Sequence, residues 1–187
     1  MQLSEYFKAV YERSTCLYTK AEVEAALSNM AAAMNDKLAS SNPIFLCVLL
    51  GGVIPLGNLL PLLDFQMELD YIHFSSYGVD NKMGKLSLRV EPSLVLRDRN
   101  VVIVDDILDT GTTLKATIDY CKEHQAKDVY TAVLLDKKKS RNPGSVEQAD
   151  FKALTIDNLY VFGYGLDYSG YLRNLPGIYV VAPEDIK

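Results

Sequence analysis

Three carboxylates and a run of small hydroxyl-bearing residues crowd one stretch of the sequence, VVIVDDILDTGTTL, from Val101 to Leu114. Thr110, Gly111, Thr112 and Thr113 supply hydroxyls and unobstructed backbone amides where a turn opens a helix. Unpaired N–H groups at a helix start, backed by the helix dipole, favour a phosphate monoester. Asp105 and Asp106 cannot be ligands of that phosphate, because carboxylates only accept hydrogen bonds and their charge repels it, so they need donors or a cation. A ribose diol offers two hydroxyl donors and a hydroxyl-coordinated Mg²⁺ offers the cation, so an adjacent diacid beside a phosphate cradle reads as a site for a ribose 5-phosphate. Asp109 falls inside the cradle loop, near where the group attached to C1 of the sugar would lie. Asp-Thr-Gly on its own would be read as an N-cap and turn before an ordinary helix. The order strand, diacid, turn and helix is what favours a ligand.

Such a site needs a parallel sheet behind it, since ligands of open α/β sheets bind at the carboxyl ends of the strands. Ile44–Leu50, Val101–Val104 and Tyr130–Leu135 are dominated by apolar residues, the pattern of strands covered on both faces. Between the last two, Thr113–His124 has helical spacing, which makes a βαβ unit. Residues 3–13 and 20–39 also read as helices, the second with Val23, Leu27, Met30, Met34 and Leu38 on one stripe. Leu69–Phe74 and Lys85–Val90 alternate apolar with polar residues and read as antiparallel strands. They flank SSYGVDNKMG, a polar connection that reads as disordered or as a lid. With no repeat, linker or low-complexity segment, residues 1–187 read as one α/β domain, with a core at about 40–181 and N-terminal helices in 1–39.

Composition excludes several functions. Nineteen basic against twenty-four acidic residues give a net charge of −5, with no basic face to hold nucleic acid by counterion release. Cys16, Cys47 and Cys121 are odd in number and have no CxxC spacing, and only His73 and His124 could join them, which argues against zinc or a disulfide framework. Ile44 to Leu63 runs twenty residues without a charge, long enough to span a bilayer. Gly51, Gly52, Pro55, Gly57 and Pro61 would interrupt a spanning helix, so a buried strand, a Gly-Gly turn and a short buried helix fit better. No membrane association is expected, and the N-terminus lacks a secretory pattern, so the cytoplasm is the default compartment.

VVIVDDILDTGTTL resembles the phosphoribosyl pyrophosphate signature of the type I phosphoribosyltransferases, and four further segments resemble the hypoxanthine-guanine phosphoribosyltransferases over about residues 40 to 181. The resemblance implies a mostly parallel twisted sheet flanked by helices, a small hood from terminal segments and an antiparallel lid hairpin. VLLGG implies pyrophosphate binding at Leu50, Gly51 and Gly52, with Leu50 standing where many relatives have lysine. SSYG implies a lid carrying Ser76 and Tyr77. VLLDK implies that Lys137 reads the exocyclic oxygen of a 6-oxopurine, while Lys138 and Lys139 read as a solvated cationic turn. YVFGYGLDYSGYLRNLPGI implies that the ring of Tyr160 stacks on the purine, that the backbone of Val161 reads its edge, that Asp167 lies beside the base and holds Mg²⁺ together with Asp105 and Asp106, and that Arg173 binds pyrophosphate. Asp109 would manage the proton on N7. The implied reaction joins hypoxanthine or guanine to phosphoribosyl pyrophosphate, giving IMP or GMP and pyrophosphate, in a homodimer or homotetramer. A xanthine-preferring or otherwise shifted purine enzyme, a phosphoribosyl-binding regulator without catalysis, and a generic nucleotide or sugar-phosphate binding module, which would not need the VFGYGLDY segment, are the rival readings.

Overall fold

The computed structural model describes residues 4–75, 86–139 and 141–186, so Ser76, Tyr77 and the expected lid lie outside the described residues. The elements follow in the order α1 (Glu5–Arg13), β1 (Thr15–Tyr18), α2 (Lys20–Leu38), β2 (Ile44–Val48), α3 (Val53–Leu59), β3 (Glu68–Ser75), β4 (Ser87–Val90), β5 (Asn100–Leu108), α4 (Thr112–Glu123), β6 (Asp128–Lys137), β7 (Phe151–Ile156), β8 (Val161–Phe162) and β9 (Ile178–Val180). The larger sheet has the order β4-β3-β2-β5-β6-β7. Its strands are parallel except for β4.

Strict alternation along buried strands sorts the core into two layers. Phe45 and Cys47 of β2, with Val102 and Val104 of β5, pack against the apolar stripe of α2. Ile44, Leu46, Val101 and Ile103 pack on the other face with Leu114 and Cys121 of α4. The start of α2 is fixed by a capping box in which Thr19 accepts from the Glu22 amide and Glu22 accepts from the Thr19 amide at 2.8 Å. The uncharged stretch 44–63 resolves into β2, a turn through Gly51-Gly52 and the short helix α3, and among the described residues no helix is long and apolar enough to cross a membrane.

Two expectations need correction. The Val101 strand does not end at the diacid but runs on to Leu108, because β6 keeps pairing it from Asp105↔Val133 to Leu108↔Asp136, whereas its pairing with β2 stops at Val104. The strand expected at Leu69–Phe74 is antiparallel only to β4 and runs parallel to β2. Its alternation reports one-sided cover, with Asp70 and Ile72 buried and Leu69 and Tyr71 exposed, and α3 supplies the crossover that a parallel return requires. Asp70 is buried among donors: the amides of Tyr71, Ser93 and Leu94 and the Ser93 hydroxyl all donate to it, which anchors the segment after β4.

The second sheet, β1-β9-β8, is antiparallel and joins segments from the two ends of the sequence. With α1 it encloses a small core of Val10, Phe162, Tyr168, Leu172, Leu175 and Val181. Arg13 grips Asp185 with two bonds, at 2.9 and 2.6 Å. This hood carries the segment from Tyr160 to Arg173. Gly163 lies in it at φ +96°, and a Cβ there would sit 2.2 Å from the Gly177 carbonyl oxygen. Both the left-handed backbone and the backbone contact oppose any side chain. Gly163→Ala should therefore destabilise the protein by roughly 1–3 kcal/mol. Urea unfolding should show a lower midpoint, and an unchanged one would contradict this reading.

Candidate active site

Strand β5 carries its two acids past the end of β2, where the sheet opens into a cavity of about 290 Å³. Residues Asp105 to Leu114 line one side, and Val48, Leu49, Gly51, Phe74, Asp167 and Arg173 complete it. The Asp106 amide donates to Asp105 Oδ1 at 2.9 Å. Burial pushes the Asp105 carboxyl well above the usual range, and the neighbouring Asp106 adds to the shift. Burial raises Asp106 as well, against the opposing pull of Asp105 and Arg173. Beneath them the Cys47 thiol is pushed up to about 12 by burial and by the two carboxylates, so it is no nucleophile. A pair of this kind asks for a cation or for hydroxyl donors.

Three residues separate the diacid from Thr110, Gly111, Thr112 and Thr113, which form the turn and first residues of α4. Gly111 takes φ +77° at the N-cap, and a Cβ would meet Ser145 Oγ and the Val146 carbonyl oxygen at 2.8 Å each. No side chain caps this helix start. Its first amides are thus available to an anion at the cavity wall. The hydroxyls of Thr110 and Thr112 lie 3.1 Å apart on the same turn.

Asp109 leaves this turn towards the end of β6, where Lys137 Nζ lies 3.1 Å from its Oδ2 and Lys139 pairs with its Oδ1. Burial raises the Asp109 carboxyl, but bonds from Lys139 and Lys137 outweigh it and the net shift is downward. Lys139 is accordingly not solvated as the sequence reading has it. Alternation beyond the strand end puts it on the same side as Lys137, with its side chain 25% exposed, while Lys138 points away, 64% exposed, beside Asp157. Across the cavity Arg173 Nη2 lies 2.8 Å from Asp167 Oδ1 and its Nη1 lies 3.9 Å from Asp106 Oδ2. Arg173 Nη1 also donates to the Gly165 carbonyl oxygen at 2.6 Å, and Asp167 Oδ2 accepts from the Gly170 amide.

Leu50, Gly52, Lys137, Tyr160 and Val161, also singled out from the sequence, lie off this cavity wall. Leu50 is exposed, and Gly52 is buried at the turn below it. Gly51 is in the wall for a steric reason, since a Cβ there would fall 1.9 Å from Asp106 Oδ2. Tyr160 is 38% exposed at the hood, its ring centroid 5.9 Å from that of Tyr168, and Val161 pairs with Val180 in β8. Lys137 joins the site through Asp109. Sequence reasoning missed Lys139, Arg141 and Asp136. The period-two spacing of Lys137 and Lys139 was the available signal for the first, and nothing local marks the other two.

A strand, diacid and phosphate turn at the carboxyl edge of a parallel sheet, with a hood over it, define a phosphoribosyl-transferring site. The family described as the phosphoribosyl transferase domain matches residues 15–169, and the chain belongs to it. Among curated proteins it is 37% identical, over 87% of this chain and 90% of the other, to the hypoxanthine-guanine phosphoribosyltransferase of Streptococcus pneumoniae. It is 32% identical, over 87% and 88%, to the hypoxanthine-guanine-xanthine phosphoribosyltransferase of Tritrichomonas foetus. A solved hypoxanthine-guanine-xanthine phosphoribosyltransferase superimposes with a TM-score of 0.80 at 29% identity, covering 89% of this chain and 96% of that one.

The raised Asp105 carboxyl has a measurable consequence. The folded state holds this proton to higher pH than the unfolded chain, so stability falls as pH rises from the ordinary aspartate range, about 4, through the folded value. Asp105→Asn should raise Tm by a few degrees at neutral pH in the absence of ligands, and the gain should vanish towards pH 4. A gain that grows on acidification would reverse the assignment.

Proposed function

We propose that this protein transfers the 5-phosphoribosyl group from phosphoribosyl pyrophosphate to N9 of hypoxanthine or guanine, giving IMP or GMP and pyrophosphate, as a cytoplasmic, Mg²⁺-dependent, oligomeric enzyme of purine salvage. The observation that carries the base assignment is the Lys137–Asp109 pair, a donor and an acceptor 3.1 Å apart, with Asp109 in the cavity wall and Lys137 beside it. A 6-oxopurine offers their complement on one edge, an acceptor at O6 beside a proton at N7, whereas adenine puts an amino donor opposite the lysine. The names of the curated relatives support the same substrates, and the Tritrichomonas protein adds xanthine as a candidate.

The residues divide the work by charge. The amides and hydroxyls of Thr110 to Thr113 would hold the 5-phosphate, and Asp105 and Asp106 would accept from the ribose hydroxyls, which together keep C1 in line. Arg173 would exchange its carboxylate partners for the departing pyrophosphate, with the Gly51–Gly52 turn offering backbone amides and no cation coming from Leu50. Asp109 would take the N7 proton while Lys137 holds O6, and Tyr160 and Val161 would bound the base from the hood. Displacement at an anomeric carbon passes through an oxocarbenium-like state, so a rim of fixed charges around C1 stabilises it.

Among the described residues no cluster of three His, Cys, Asp or Glu side chains forms a metal cage. The donor set still fits Mg²⁺, which is commonly held by one or two carboxylates together with substrate phosphates and water. Asp105, Asp106 and Asp167 would hold it through substrate oxygens and water rather than as a closed cage, and when bound it would neutralise charge on the leaving group.

Initial rates with hypoxanthine, guanine, xanthine and adenine, with phosphoribosyl pyrophosphate and with Mg²⁺ or EDTA, test this reading. Turnover of 6-oxopurines only, abolished by EDTA, is expected, and turnover of adenine alone or none at all would refute it. Asp109→Asn should keep binding and lower the single-turnover rate by roughly 10²–10⁴-fold. Lys137→Gln should lower kcat/KM for hypoxanthine by about one to two decades and narrow the gap to adenine. If Asp109→Asn turns over normally, the proton has another acceptor.

A further inference from the structure

Arg141 bonds to three backbone carbonyls and a carboxylate, and none of these bonds goes to a side chain of the cavity wall. Its side chain is 4% exposed. Nη1 donates to the Leu108 carbonyl oxygen at 3.1 Å and to the Asp109 carbonyl oxygen at 2.7 Å, Nη2 pairs with buried Asp136, and Nε reaches the Glu147 carbonyl oxygen at 3.5 Å. Lys152 takes the other oxygen of Asp136 at 3.0 Å. The residues that follow continue the pattern: the Asn142 amide donates to the Thr110 carbonyl oxygen at 3.1 Å, Ser145 Oγ donates to the same oxygen at 2.8 Å, and Asn142 Nδ2 donates to Thr112 Oγ1 at 3.0 Å.

Three consecutive carbonyls, of Leu108, Asp109 and Thr110, are therefore all turned towards this strap. In a planar trans peptide the C=O and N–H point in opposite directions, and the peptides of this loop are trans. Fixing those carbonyls fixes the amides of Asp109, Thr110 and Gly111 on the opposite side of the loop. The loop lines the cavity and the strap residues do not, so the opposite side is the cavity side.

We infer that Arg141, with Asn142 and Ser145, is the positioning element that turns the loop amides of Asp109, Thr110 and Gly111 towards the substrate's 5-phosphate. Arginine suits the task because its planar fork reaches two carbonyls and a carboxylate at once, whereas a single ammonium cannot span them. The inference rests on the assignment of Thr110 to Thr113 as the phosphate cradle, and its test separates the two.

Ribose 5-phosphate and pyrophosphate serve as competitive inhibitors against phosphoribosyl pyrophosphate, the first through its single phosphate and the second through the Arg173 side. Arg141→Lys keeps the charge beside Asp136 but loses the fork, and it should raise Ki for ribose 5-phosphate and KM for phosphoribosyl pyrophosphate roughly three- to tenfold, with Ki for pyrophosphate and KM for hypoxanthine unchanged. Methylguanidinium should restore ribose 5-phosphate affinity to Arg141→Ala. A uniform rise in all four constants would mean a merely structural role and would overturn the inference. So would unchanged ribose 5-phosphate affinity in Arg141→Lys when Thr112→Ala and Thr113→Val weaken it. If neither threonine variant weakens it, the cradle assignment itself is wrong. Should Arg141→Lys fail to fold, Ser145→Ala removes one exposed strap bond and must give the same selective pattern at smaller size; no selective change there refutes the proposal.

Discussion

Two neighbouring carboxylates at the open end of a central strand, both taken out of water, are the constraint on which the rest of this structure depends. Consecutive residues of a regular strand point to opposite faces, yet Asp105 and Asp106 border one cavity, and the β5–β6 register passes over Asp106 between its pairs at Asp105 and Ile107. Around that arrangement every neighbour must give way or compensate. Residue 51 has no side chain because Asp106 occupies its place, and Gly165 in turn packs where a Cβ would lie 2.5 Å from the Gly51 carbonyl oxygen. Arg173 approaches from the hood, so the hood is tied to the sheet by charge as well as by packing.

The charged side chains around the cavity are paired with one another. Lys137 and Lys139 share Asp109, Arg173 is divided between Asp167 and Asp106, and Arg141 with Lys152 neutralises Asp136 outside the wall. Ligand binding is then an exchange of partners. This avoids stripping isolated ions of water and suits a protein whose overall charge is −5 and which cannot concentrate polyanions by its field.

What the sequence disclosed was whatever is local. Strand, diacid, turn and helix stand in one continuous segment, and their residue types state their chemistry without help from elsewhere. Continuous apolar runs identified β2 and β5, because burial on both faces leaves no polar position. The strands β1, β7 and β9 escaped notice because they are short or mixed, as in FKALTI, and owe their conformation to a partner far along the chain. Lys139, Arg141 and Asp136 escaped for the same reason: each acquires its meaning only when the end of β6 and the following loop fold back on the turn after β5. Parallel pairing between β2 and β3 was equally invisible, since alternation encodes which face is covered and not which way the neighbour runs.

The hood sheet also sets an order of events. Strand β1 finds its partner in β9, so that Tyr18 is matched with Ile178, whose numbers differ by 160, whereas the parallel sheet assembles from strands that mostly follow one another at shorter range. Closing so long a loop costs entropy before any contact repays it, and contacts of high sequence separation form late. During synthesis the parallel sheet with the turn after β5 can consolidate once β7 has emerged, while the hood waits for β9. The two sides of one cleft are thus separated in time, and a chain stalled before residue 178 would carry a finished turn after β5 under an unfinished roof.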